Sequence, residues 1–177
     1  MSGRVRCLAE WSDPAFDEWL ESIFDLPHRD LMRPWALQLF STSGPVDRES
    51  VEVAYRLDQL AAVDAAIALV IADLSVVSPR VPTLAADVGD RGVRVTVDGG
   101  YSEPATQVGY PFDVAETTVD IVEYIREHST QDSTVSFPTC SRHEHYYLHP
   151  IVEVGVAVWH CRRGAHVVAP IGELPAV

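Results

Sequence analysis

The stretch CSRHEHYYLHPIVEVGVAVWHCRRGAH, residues 140–166, decides how the C-terminal part of this chain folds. It holds five of the seven histidines and two of the three cysteines in the 177 residues. Metal binding is the usual cause of a short tract rich in Cys and His. The residues form two pairs, Cys140-x2-His143 and Cys161-x4-His166. Two ligand pairs on separate turns are what a tetrahedral Zn²⁺ site needs, so these four residues are the predicted ligands.

The sequence between and after the pairs predicts a small sheet. Short runs rich in valine at 151–154, 156–161 and 166–171 are typical of strands. The second ligand pair would then lie on the turn between the last two strands. We expect Gly164 to let that turn fold tightly around the ion.

Two ligand turns that project from a small sheet resemble a zinc ribbon, over about residues 137–174. The resemblance implies a structural Zn²⁺. Most zinc ribbons carry Cys-Pro-x-Cys-Gly knuckles, whereas here the second ligand of each knuckle is histidine and the second knuckle is longer. The fourth ligand therefore stays open, with His145, His149 and His160 as alternatives. A ribbon without an ion, shaped by packing of aromatic residues such as Trp159, is the other interpretation. The tail also resembles those of small acidic proteins from high-GC bacteria.

A catalytic ion would need an open coordination position and a nearby general base, for which Glu144 is the local candidate. The protease motif HExxH fails because position 147 is Tyr, and HxxEH fails because position 141 is Ser. Four Cys and His ligands favour a closed, structural ion. A metal-dependent hydrolase that uses Glu144, His145 or His149 is the alternative.

The rest of the chain predicts a helix-rich body with a small sheet. Asp13 and Pro14 are typical of a helix start, as is Asp113. Further helices are expected to begin near Pro34 and at Asp47, and alternating valines predict a strand over 93–97. The apolar run at 68–74 fits either a continued helix or a buried strand.

These patterns predict an α+β fold in two domains. We expect an acidic α+β domain over residues 1–135 and a zinc-ribbon-like module over 136–177. The most hydrophobic run, 60–72, is thirteen residues long and contains Asp64. Because a bilayer needs about 20 apolar residues, we expect no membrane span and a cytoplasmic protein.

The charge of the chain is strongly negative and unevenly distributed. The net charge is −13, and residues 1–139 carry 23 acids against 10 arginines, whereas 140–177 carry three of each. There is no lysine, which excludes Walker-A phosphate loops and pyridoxal Schiff bases. An acidic body repels phosphate backbones and membrane surfaces and attracts basic partners.

Charge and the missing catalytic motifs together predict a non-enzymatic, metal-stabilised protein-binding or regulatory protein of inhibitor, immunity or adaptor type, with a basic partner. The metal-dependent hydrolase is the first alternative. Nucleic-acid binding through Arg142, Arg162 and Arg163 of the ribbon is the second, and the acidic body argues against it.

Overall fold

A computed structural model describes residues 13–24, 26–89, 92–97, 113–129, 135–144 and 146–175. Within these residues the chain forms four α-helices, a two-stranded sheet and a three-stranded antiparallel sheet, which confirms the predicted α+β class. The helices are α1 (Pro14–Ile23), α2 (Leu26–Ser43), α3 (Arg48–Val77) and α4 (Val114–Ser129). The strands are β1 (Leu84–Gly89), β2 (Gly92–Val97), β3 (His149–Glu153), β4 (Val156–Cys161) and β5 (His166–Pro170).

Three helices begin next to aspartates, as predicted, and each of these aspartates caps the first turn. The Asp13 carboxylate accepts a hydrogen bond from the Ala15 N–H at 2.9 Å, and Asp113 accepts one from the Ala115 N–H at 2.9 Å. Asp47 caps α3 in the same way. Each cap satisfies a backbone donor that the helix itself leaves without a partner.

The second helix begins earlier than predicted. α2 starts at Leu26 and contains Pro34 in its interior, rather than starting near it. An interior proline removes one backbone hydrogen bond, which is why the sequence favoured a boundary there. Packing compensates, because Ala36 is fully buried among the aromatic side chains of α1 and α2.

The apolar run at 68–74 is helical, since α3 continues to Val77. The strand predicted over 93–97 is present as β2, but its partner β1 was not predicted. The two strands pair antiparallel from Leu84 opposite Val97 to Gly89 opposite Gly92.

The contacts divide the chain into two units, Met1–Ala54 and Tyr55–Val177, each with its own core. In the second unit one hydrophobic cluster draws buried side chains from α3, β2, α4 and the C-terminal sheet. The three-stranded sheet therefore shares its interior with the helices of that unit. The predicted division into one domain over residues 1–135 and a second over 136–177 stays a prediction.

Among the helices described, α3 is long and apolar enough, by length and composition, to cross a membrane. Of its apolar 18-residue window, 33% is buried inside the structure. Val63, Ala66, Val70 and Leu74, which recur at helical spacing, are at most 1% exposed and belong to the core of the second unit.

A buried carboxylate joins α3 to the C-terminal sheet. Asp73 is 1% exposed and accepts three hydrogen bonds. Its Oδ2 accepts from the indole N–H of Trp159 at 2.6 Å and from the Gly172 N–H at 2.7 Å. Its Oδ1 accepts from the Leu174 N–H at 2.9 Å. Three donors offset the cost of burying the charge.

Candidate metal centre

Two turns bring the four predicted ligands together. In the first turn the Cys140 N–H donates to the Tyr146 carbonyl at 2.9 Å, and the His143 N–H donates to the Cys140 carbonyl at 3.2 Å. In the second, Cys161 at the end of β4 is paired with His166 at the start of β5. The sheet fixes one ligand pair, and a short hydrogen-bonded loop fixes the other.

The distances between the ligand atoms fit a tetrahedral ion. The His143 Nδ1 lies 3.4 Å from the Sγ of Cys140 and 3.4 Å from the Sγ of Cys161. The His166 Nε2 lies 3.6 Å from the Cys140 Sγ. With Zn–S near 2.3 Å and Zn–N near 2.0–2.1 Å, a tetrahedral site places S and N about 3.5 Å apart. All four ligand atoms lie within 4.8 Å of one another.

Neither cysteine of the group is tied up in a disulfide. Both are free thiols, with Cys140 3% exposed and Cys161 fully buried. Burial raises the pKa of Cys140, but the Arg142 backbone N–H, the Cys161 side chain and the Arg142 charge oppose it, so its pKa lies below the ordinary value. A lowered pKa favours the thiolate, which is the ligand form.

Gly164 passes closely over the ligand rings. A Cβ at this position would lie 2.4 Å from the His143 Cε1 and 2.6 Å from the His166 Nδ1. Both distances are shorter than any real contact, so a larger residue would displace a ligand. The turn therefore needs glycine at position 164 because the imidazole rings leave no room for a side chain there.

The alternative ligands do not join this group among the residues that the structure describes. His149 lies opposite His160 in the ladder of β3 and β4, and its Nδ1 is 3.0 Å from the Arg126 Nη1. His145 lies outside the described residues. Glu144 is exposed. The described residues offer one group that could hold a metal ion, Cys140, His143, Cys161 and His166.

An ion bound by all four side chains would have its tetrahedral positions filled. A catalytic zinc keeps one position for water or substrate, whereas a structural zinc does not. The arrangement is therefore suited to holding two turns together.

We compared the chain with known protein families, curated proteins and solved structures. No protein-family model, curated protein or solved structure matches the chain, so the likeness to a zinc ribbon rests on the three-stranded sheet and its Cys/His group.

Proposed function

We propose that this chain is a non-enzymatic, zinc-stabilised protein-binding protein of inhibitor, immunity or adaptor type that recognises a basic partner. The observation that carries the proposal is the closed set of four ligands, Cys140, His143, Cys161 and His166. A site of this kind contributes folding energy rather than a reactive water.

The donor set favours zinc over hard ions such as Mg²⁺ and Ca²⁺. Two thiolates and two imidazoles suit a borderline-soft ion with tetrahedral geometry, whereas Mg²⁺ and Ca²⁺ prefer oxygen ligands. The S–N distances of 3.4–3.6 Å support the same geometry.

The ion would act as a clamp on the C-terminal sheet. It would tie the loop that carries Cys140 and His143 to the turn between β4 and β5. Both cysteines belong to the hydrophobic cluster of the second unit, so the clamp is continuous with the core. Loss of the ion would release a buried part of the structure, and its stability should depend on metal.

The basic partner is inferred from charge. The chain carries 26 acids against 13 arginines, and Glu18 and Glu21 are exposed on α1. Charge of one sign steers an oppositely charged partner and makes association depend on salt. The absence of a recognisable catalytic motif in the sequence agrees with a binding role.

The metal is tested by elemental analysis of the native protein and of Cys140→Ala and His166→Ala. We expect one equivalent of zinc in the native protein, loss of zinc in both variants, and a lower melting temperature after chelation. His160→Ala is the matched comparison and should keep its zinc, because His166, and not this alternative ligand, lies in the group with Cys140, His143 and Cys161. A well-folded native protein without zinc would refute the metal.

The partner is tested with the tagged native chain as bait in its own host, followed by reconstitution of each captured complex. Affinity should fall steeply as salt rises from about 50 to 300 mM, because screening weakens interactions between exposed charges. Glu18→Gln with Glu21→Gln should weaken the complex. Glu144→Gln with Glu153→Gln is the control with the same change of charge, in the balanced tail. Weak affinity that does not depend on salt would contradict a basic partner.

A further inference from the structure

Basic side chains from three elements meet beside the C-terminal sheet, outside the metal group. Arg126 on α4 places its Nη1 3.0 Å from the Nδ1 of His149 on β3. His149 is directly opposite His160 on β4. Directly opposite residues project from the same face, with Cβ atoms about 4.5–5.5 Å apart. One guanidinium and two imidazoles are thus brought together by the fold.

The chemistry of arginine determines which ring nitrogen of His149 carries the proton. A guanidinium has five N–H donors and no acceptor. The contact therefore requires that the His149 Nδ1 accept the bond from Arg126. In a neutral imidazole the other nitrogen, Nε2, then carries hydrogen and donates. The contact between the two side chains therefore does not use the His149 Nε2–H or the Nη2 of Arg126.

Positive charge dominates around this cluster. Burial lowers the pKa of His149 most, the charges of Arg126 and Arg162 lower it further, Glu123 opposes this effect, and His160 adds to it. Glu123 is the acid in direct contact, with its Oε1 3.4 Å from the Arg126 Nη1. Two arginines against one carboxylate leave a net positive charge beside the two imidazoles, in a chain whose net charge is −13.

The guanidinium is both held and accessible. The Arg126 Cζ lies 5.9 Å from the centre of the Phe137 ring, a cation–π arrangement that orients the group. The Arg126 side chain is 24% exposed, so it can reach a ligand from solvent. A held arginine loses less freedom when it binds.

We propose that Arg126, His149 and His160 form a binding site for a phosphate-like dianion, either free phosphate or the phosphate group of a small monoester. Arginine and histidine N–H groups donate charge-assisted hydrogen bonds to phosphate oxygens. The Glu123 carboxylate occupies only the Nη1 of Arg126, at 3.4 Å, and leaves the other guanidinium nitrogens to a second acceptor. A dianion with more acceptor oxygens gains from every donor in the cluster.

The test is titration of the as-purified full chain with inorganic phosphate, followed by NMR of the histidine side chains. Potassium chloride at matched ionic strength is the blank. We expect saturable shifts of His149 and His160. Arg126→Gln should weaken binding at least about tenfold, since each lost charge-assisted contact contributes on that scale. Arg56→Gln, the same change on an exposed arginine of α3, should leave binding unchanged.

A second arm replaces phosphate with glycerol phosphate. Tighter binding of the monoester identifies an esterified ligand, and equal or weaker binding identifies free phosphate. If Arg126→Gln does not fold, His160→Gln takes its place, with weaker phosphate binding as the expected result. Shifts that never saturate, that match those in chloride, or that survive these variants would overturn the site. Zinc content, measured in parallel, separates this outcome from failure of the metal group.

Discussion

Removing the carboxylate of Asp73 should destabilise the second unit more than any other single charge change on α3. The Asp73→Ala substitution leaves the Trp159 indole N–H and the backbone N–H groups of Gly172 and Leu174 without their acceptor. Hydrogen bonds to a charged group contribute about 1.5–3 kcal/mol each, which gives roughly 4.5–9 kcal/mol for three. Relief from burying an ionised group removes several kcal/mol of this total. We expect a net loss of about 3–5 kcal/mol.

Asp73→Asn should cost less than Asp73→Ala. An amide oxygen can still accept two of the three N–H donors, but the NH₂ group then faces the third. We expect a loss of about 1.5–3 kcal/mol, since one buried donor loses its partner. Asp64→Ala is the matched control, because Asp64 is an exposed acid on the same helix. A surface change of that kind should stay within about 0.5 kcal/mol.

The assay combines urea unfolding with hydrogen exchange of the Trp159 indole N–H. Trp159 is the one tryptophan of the second unit, so its exchange reports on that unit alone. Exchange should quicken in the order native, Asn, Ala. A loss of less than about 1 kcal/mol in the free energy of unfolding for Asp73→Ala would refute the reasoning. So would an Asp73→Asn variant that is less stable than Asp73→Ala.

Three further changes have defined outcomes. Val154 is 97% exposed at φ 51° and precedes Gly155 at φ 75°, which is the backbone of a type I′ hairpin turn. Asparagine tolerates a positive φ better than valine, so Val154→Asn should raise the free energy of unfolding in urea by about 1 kcal/mol. A lower free energy of unfolding would contradict this. Gly164→Ala should weaken zinc binding about 10- to 100-fold in competition with a chelator, because the new Cβ displaces a ligand ring; unchanged affinity would contradict the close approach. The pKa of His149 is lowered from 6.5, chiefly by burial, so the folded state binds fewer protons than the unfolded state. The contribution of His149 to the free energy of unfolding should therefore be complete above about pH 6.5 and should decrease as the pH falls from there toward the pKa of His149 in the folded state. In urea unfolding at several pH values, His149→Gln should make the free energy of unfolding depend less on pH.

The features that the sequence predicted well depend on neighbouring residues. Asp13, Asp47 and Asp113 cap helices through donors two or three residues away. The grouping of two cysteines and two histidines that could hold a metal ion was predictable, because Cys and His are rare and their spacing is informative. The α+β class followed from the same local periods.

The features that were missed depend on distant residues. β1 has the sequence LAADVG, which has little strand preference, and it is a strand because β2 pairs with it. The importance of Asp73 could not be inferred because its partners lie 86, 99 and 101 residues further along. Arg126 and His149 are 23 residues apart, and only the packing of α4 beside β3 brings them together.

The large sequence separation between Asp73 and its partners also determines when these contacts can form during synthesis. Its last partner, Leu174, is made 101 residues after it. At about 5–20 residues per second, the ribosome needs roughly 5–20 s to cover that distance. Throughout that interval the Asp73 carboxylate lacks at least one of its three partners, and the C-terminal sheet that shares the core with α3 is incomplete. The core of the second unit therefore closes last, when the C-terminal strands have been made, and a chain cut short before residue 159 would lack every partner of Asp73.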